Sequence, residues 1–171
     1  MRGDGDAKLL EDIMSCREAV FRICLGFSRN ASDAEDLSQD VYLKAYRSLG
    51  RVRHPYLAKE WLFRIARNHC LDQMKRRRLA RELEKAAGPA NAVDPRTPEL
   101  ASVRAERLRS LKIAVARLPR KQREVFVLRE YGGLSYEELG RVVGAKAGTV
   151  MSRLNRARTA VAASVKEAEH D

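Results

Sequence analysis

The chain has 171 residues, room for one ordinary domain or two small ones, and no apolar run approaches the ~20 residues a membrane-spanning helix needs. Lysine and arginine total 34 against 23 aspartate and glutamate, and the formal charge of +11 favours a polyanionic partner, nucleic acid first. Met1 to Lys8 is polar and glycine-bearing, unlike a signal peptide, and three cysteines suit a reducing compartment, so the expected location is cytoplasmic.

Apolar residues recur at helical spacing almost throughout, and no strand-like alternation stands out. The first expected helix runs from about Lys8 to Ser28, with Leu10, Ile13, Met14, Phe21 and Cys24 on its apolar side. Cys16 and Cys24 would lie ~12 Å apart along it, too far for a disulfide. Ser32, three residues before Glu35, has the capping-box pattern that opens a second helix; Leu37, Val41, Ala45 and Leu49 continue it and Gly50 stops it. Pro55 opens a third helix through Trp61, Leu62 and Ile65 to about Arg78. His69-Cys70 lacks a second ligand pair at zinc spacing, so buried packing is the expectation for the cysteines, with no metal and no cofactor.

Beyond Arg81 the pattern dissolves, and Ala86 to Pro95, with two prolines, a glycine and few large apolar groups, reads as a linker. Thr97-Pro98-Glu99 restarts a helix, with Leu100, Val103, Leu108, Leu111, Val115 and Leu118 as its stripe. Pro119 separates it from a helix through Val125 and Leu128 that Gly132-Gly133 closes. Ser135 and Glu138 form another capping-box pattern, and that helix ends near Val143-Gly144. The expected fold is therefore all-α: two small helical domains, residues 1–81 and 98–171, joined by a flexible linker at 82–97, the C-terminal one a helix-turn-helix.

The last helix carries Lys146, Arg153, Arg156 and Arg158 with no acid among them. From about Ala147, the residues Val150, Leu154, Ala157 and Val161 share one face and can pack on Leu139, Val142 and Val143. Ser152, Asn155 and Arg156 then face outward, flanked by Thr149, Met151 and Arg153. Arginine and asparagine carry the forked donors that match guanine and adenine edges in the major groove. Lys146 and Arg158 would lie nearer phosphates, and Arg120, Lys121 and Arg123 could add phosphate contacts. The segment Asp33 to Ala45 is the opposite in character, with four carboxylates in eight residues. It has no glycine for a calcium loop and no nucleophile or base partner for catalysis. Part of it complements a helix dipole; the rest suits a surface that docks a protein. From Arg51 to Arg78 the sign reverses, with nine Lys or Arg against Glu60 and Asp72.

Five stretches resemble, in order and spacing, the successive signatures of bacterial RNA polymerase sigma factors of the extracytoplasmic function (ECF) group. They are Asp33 to Tyr42, Trp61 to Asn68, Leu118 to Phe126, Gly132 to Leu139 and Gly148 to Leu154, within a resemblance spanning about Cys16 to Val161. The resemblance implies a promoter-specific initiation subunit without catalysis. Asp33, Glu35, Asp36, Gln39, Asp40 and Lys44 would dock the beta-prime coiled coil of core polymerase, with the beta subunit a further partner. Arg51, Arg53, His54, Lys59, Arg64, Arg67, Asn68, Lys75 and Arg76 would open and read the minus-ten element, where a cationic surface tracks the strand and polar groups hold an unstacked base. Arg120, Lys146, Thr149, Met151, Ser152, Arg153, Asn155 and Arg156 would read the minus-thirty-five element. Met151 replaces the usual basic residue, and Asn155 a common aromatic or histidine, which points to a different promoter preference. An anti-sigma factor, often membrane-bound in the group, is the expected regulator; no small-molecule substrate is implied. An autonomous helix-turn-helix regulator would explain the last helices but leave the acidic helix and the Arg64 to Arg78 helix idle. A nucleic-acid enzyme has only the acid cluster in its favour.

Overall fold

Eight α-helices build the described parts of the chain, residues 3–28, 30–52, 57–87 and 103–168 of a computed structural model. They are α1 (Gly3–Ser15), α2 (Arg17–Ser28), α3 (Ala31–Ser48), α4 (Ala58–Ala87), α5 (Val103–Arg117), α6 (Arg120–Glu130), α7 (Tyr136–Val143) and α8 (Ala147–Ala168), with a 3₁₀ turn at Leu49–Arg51. The all-α expectation of two small helical domains holds: α1–α4 form the first and α5–α8 the second. Residues 82–87 of the expected linker are helical, as the end of α4; Arg53, His54, Pro55, the rest of the linker and Pro98-Glu99 with Leu100 lie outside the described residues.

Three helix boundaries differ from expectation, each for a local reason. The first expected helix is two, broken at Cys16, whose amide bonds the Ile13 carbonyl and whose thiol donates to the Asp12 carbonyl at 3.4 Å. Within it Leu9 and Ile13 are buried while Met14 is exposed. Helix α3 is capped by Asn30, not Ser32: the Asn30 side chain accepts from the Asp33 amide at 2.8 Å and donates to its carboxylate at 2.7 Å. Helix α4 continues past Arg78 to Ala87 with its last turns exposed. Leucine, alanine, arginine and glutamate there are strong helix formers, and Arg78 pairs with Glu82 one turn on.

The second domain follows its sequence pattern closely. Ser135 caps α7 in a full capping box with Glu138, and Gly144 takes the left-handed conformation, φ 68°, that reverses the chain into α8. The Glu138 carboxyl is held below the ordinary range, chiefly by the Ser135 amide it accepts from. Val150, Leu154, Ala157 and Val161 are all buried, as their spacing predicts. Of the described residues of the expected stripe, Val115 in α5 and Leu118 just past its end are buried, Leu111 is half-buried and Leu108 is exposed.

The two domains share one continuous core. Six consecutive residues of α6, Arg123 to Leu128, are buried, so the middle of that helix is covered all round: α8 and α7 pack on it within the second domain, and α2, with Arg67 of α4, packs on it from the first. Contact with α2 is close because Gly26 has no side chain; a Cβ there would lie 2.8 Å from a Val127 methyl and 2.9 Å from the Tyr131 ring. Burying a side chain such as Val127 is worth ~1.5–3 kcal/mol, which offsets the marginal core of each small unit.

Candidate nucleic-acid and protein interfaces

Helix α8 presents its polar residues as a coherent outward face. Thr149, Met151, Ser152, Asn155 and Arg156 are exposed, Arg153 is half-buried, and Lys146 is exposed in the turn before the helix. The positioning is indirect but firm: Val150, Leu154 and Ala157 anchor the opposite face on the core, so the outward side chains sit on a rigid platform. Arg158 is engaged elsewhere. It donates to Glu130 at 3.0 and 2.6 Å, and that bond holds its proton more firmly. The expected phosphate role for Arg123 is replaced by a structural one: its guanidinium is buried and donates to the carbonyls of Val115, Ala116 and Leu118, closing the end of α5. Arg120 and Lys121 remain exposed beside it.

Helix α3 divides its carboxylates between two jobs. Asp33 is turned inward to Arg77 of α4 and to its cap partner Asn30, and the Arg77 hydrogen bond outweighs burial in holding its carboxyl below the ordinary range. Glu35, Asp36 and Gln39 are exposed along the outer face, and the side chain of Asp40 is half exposed. Asp40 and Lys44 are braced from beneath by His69, a buried residue of α4. Its Nδ1 lies 2.6 Å from Lys44 Nζ and its Nε2 3.1 Å from an Asp40 oxygen. An ammonium only donates, so Nδ1 accepts and the Nε2–H points at the carboxylate. In the sequence His69 lacks a second ligand pair at zinc spacing, which gives no sign of this bracing role; among the described residues no cluster of His, Cys, Asp and Glu fits a metal. Two exposed apolar side chains, Leu43 and Tyr46, extend the same helix surface at 54% and 70% exposure. Their exposure on an otherwise amphipathic helix was the available signal for them.

Helix α4 is the least free of the three. Lys59, Lys75, Arg76 and Asn68 are exposed, as is Arg51 in the preceding turn. Arg64 is exposed too but bonds to the second domain, and Arg67 is half-buried against it. Arg64 donates to the Arg141 carbonyl at 2.7 Å, and Arg67 donates through Nε and an Nη to Glu124 at 2.9 and 2.6 Å. Glu60, one turn earlier on α4, accepts two hydrogen bonds from Arg141 at 2.8 and 2.7 Å, which raises the affinity of that guanidinium for its proton. Trp61 is half-buried against the core. Cys24 and Cys70 are fully buried with their sulfurs 3.8 Å apart, and Cys70 is pushed well above the ordinary thiol range by that contact and by burial. This packing matches the expectation for both residues.

Comparison with known proteins covers both domains. Residues 13–80 match the model of Sigma-70 region 2, and residues 108–161 that of Sigma-70 region 4. The chain is 32% identical to the RNA polymerase sigma-H factor of Pseudomonas aeruginosa across 87% of this chain and 81% of that protein. It is also 32% identical to the ECF RNA polymerase sigma factor EcfG of Rhodopseudomonas palustris, across 91% and 83%. Among solved structures, the sigma factor RpoE of Bartonella quintana, in complex with the anti-sigma factor NepR, superposes with a TM-score of 0.73 at 28% identity, covering 93% of this chain and 97% of that one.

Proposed function

The chain belongs to the ECF RNA polymerase sigma factors, subunits that bind core RNA polymerase and promoter DNA and direct promoter-specific initiation, and on that premise we propose how its surfaces divide the work. The outer face of α3, with Glu35, Asp36, Gln39, Asp40 and Lys44, docks the beta-prime subunit, and Leu43 and Tyr46 add apolar area to that contact. Asp33 acts through the helix, by fixing α3 to α4. Lys59, Arg64, Arg67, Asn68, Lys75 and Arg76 of α4, with Arg51, engage the minus-ten element. Lys146, Thr149, Met151, Ser152, Arg153, Asn155 and Arg156 read the minus-thirty-five element, and Arg120 holds a nearby phosphate. No step of this work is catalytic, and its place is the cytoplasm.

The observation that best supports the reading is the exposed face of α8, an acid-free recognition surface held on a buried Val150-Leu154-Ala157 ridge at the end of a capped helix-turn-helix. Control by a separate anti-sigma protein is part of the same proposal, drawn from the NepR complex of the Bartonella relative.

The test is run-off transcription with core polymerase on a randomised promoter library. Wild-type chain should select two separated elements; Arg156→Ala should alter the upstream one alone, and Asn68→Ala the downstream one alone. Tight specific duplex binding by the free chain with no promoter-dependent transcript would instead mark an autonomous regulator.

A further inference from the structure

We infer that His69 is a positioning residue for polymerase docking: its imidazole stands between Asp40 and Lys44 of α3 and keeps the Asp40 carboxylate from being neutralised by its own helix. The inference rests on the reading of the outer α3 face as the surface that meets the beta-prime subunit.

Helix α4 reaches α3 through polar side chains at two places. Arg77 holds Asp33 in the first turn of α3. His69, about two turns earlier on α4, meets Asp40 and Lys44 about two to three turns further along α3. Between these points Leu37 and Val41 are buried in the core. The docking helix is thus fixed at both ends of one packed seam.

The His69 ring is 5% exposed, so its orientation is set by packing, unlike that of two long surface side chains. Its Nδ1 lies 2.6 Å from Lys44 Nζ and its Nε2 3.1 Å from an Asp40 oxygen. A neutral imidazole has one acceptor nitrogen and one N–H, and both are used here. They point to opposite sides of the ring, so the ammonium and the carboxylate are held apart.

That separation runs against what the helix alone would do. An acid followed by a lysine four residues later is the order in which a helix most readily closes an ion pair. Had Lys44 closed on Asp40, a basic partner would meet a carboxylate already compensated. With His69 in place, the Asp40 side chain stays 51% exposed and keeps acceptor capacity for an incoming cation. Lys44 remains exposed as a residue, offering its stem to the partner while its charge is turned to the ring. His69 therefore touches no polymerase itself and acts through the two residues it holds.

The test is equilibrium binding of the labelled full chain to core polymerase in a double-mutant cycle. His69→Leu removes donor and acceptor together, frees Lys44 to close on Asp40, and should weaken binding by about tenfold. In a chain that already carries Lys44→Met the same replacement should cost less than about twofold, because no ammonium remains to close on Asp40. His69→Gln, whose amide both accepts and donates, should stay within about threefold of wild type. A His69→Leu loss of equal size with and without Lys44 overturns the proposal and leaves His69 a packing residue. A loss in His69→Gln as large as that in His69→Leu overturns it too. Should His69→Leu fail to fold, the ring of the wild-type chain decides. Its imidazole nitrogen NMR shifts should show a proton on Nε2 and none on Nδ1, and any other pattern overturns the proposal. Asp40→Asn separates two failures. If it weakens polymerase binding while His69→Leu does not, only the positioning role fails; if it does not, the docking reading of Asp40 fails with it.

Discussion

Helices α8 and α4 both turn basic surfaces outward, yet they differ in how much of that surface is free. On α8 the side chains expected to meet bases, Thr149, Met151, Ser152, Asn155 and Arg156, are exposed, and the nearest committed arginine, Arg158, stands at the edge, held by Glu130. On α4 the central Arg67 is half-buried and paired with Glu124 of the other domain, and Arg64, although exposed, donates to the Arg141 carbonyl. The difference lies in the acids that neighbour each helix, since α8 has none in its first turns and α4 meets Glu124. A net charge of +11 says that nucleic acid is welcome, but the placement of a few carboxylates decides which surface is available first.

The largest effect should come from removing the platform beneath α8. Leu154→Ala deletes a fully buried side chain and should cost ~2–5 kcal/mol in denaturant unfolding, erasing upstream readout while α3 keeps its docking face. Next, Asp36→Arg with Asp40→Arg places like charge against whatever basic surface α3 meets. That should cost several kcal/mol, roughly a hundredfold or more in affinity for core polymerase, with DNA contact by α8 unchanged. Equilibrium binding of labelled chain to core enzyme checks it.

Arg156→Ala should then cost ~1–3 kcal/mol at one upstream base position, read by transcription from single-base promoter variants. An equal loss at every sequence would reduce Arg156 to a phosphate contact and remove the distinction between the two helices.

The smallest effect concerns acid. The Asp33 carboxyl is depressed mainly by Arg77, so its contribution is present above the ordinary carboxylate range and fades as pH falls through its lowered value. Both partners are partly solvated, so the contribution should be under ~1 kcal/mol. Thermal melts between neutral and acid pH should show Asp33→Asn less stable at neutrality and converging with wild type in acid. A constant gap would assign the loss to the altered α3 N-terminus alone.

The parts legible in the sequence are those written by local rules. Ser135 with Glu138, Gly144 and the Val150-Leu154-Ala157-Val161 ridge each follow from capping, handedness or helical period, and all stand where those rules put them. At α3 the capping-box pattern pointed to Ser32, whereas Asn30 caps the helix, its side chain accepting from the Asp33 amide. Arg123 shows a second limit: its charge suggested a phosphate, while its reach to three carbonyls at the end of α5 needs the α5–α6 turn to be known. The pairs Arg67–Glu124 and Glu60–Arg141 join positions 57 and 81 residues apart and leave no periodic trace. One clue was present, since Gly26 interrupts an otherwise well-formed helix, and such a glycine marks a close approach.

The open α8 and covered α4 can be compared in one tube, without polymerase or any chosen promoter. Phenylglyoxal modifies accessible guanidinium groups, and peptide mass spectrometry of the free chain gives a labelling rate for each arginine. Arg156 should label rapidly while Arg67 stays protected by Glu124, and the Glu124→Gln chain should bring the two to similar rates. Equal labelling of Arg156 and Arg67 in the wild-type chain would contradict the account.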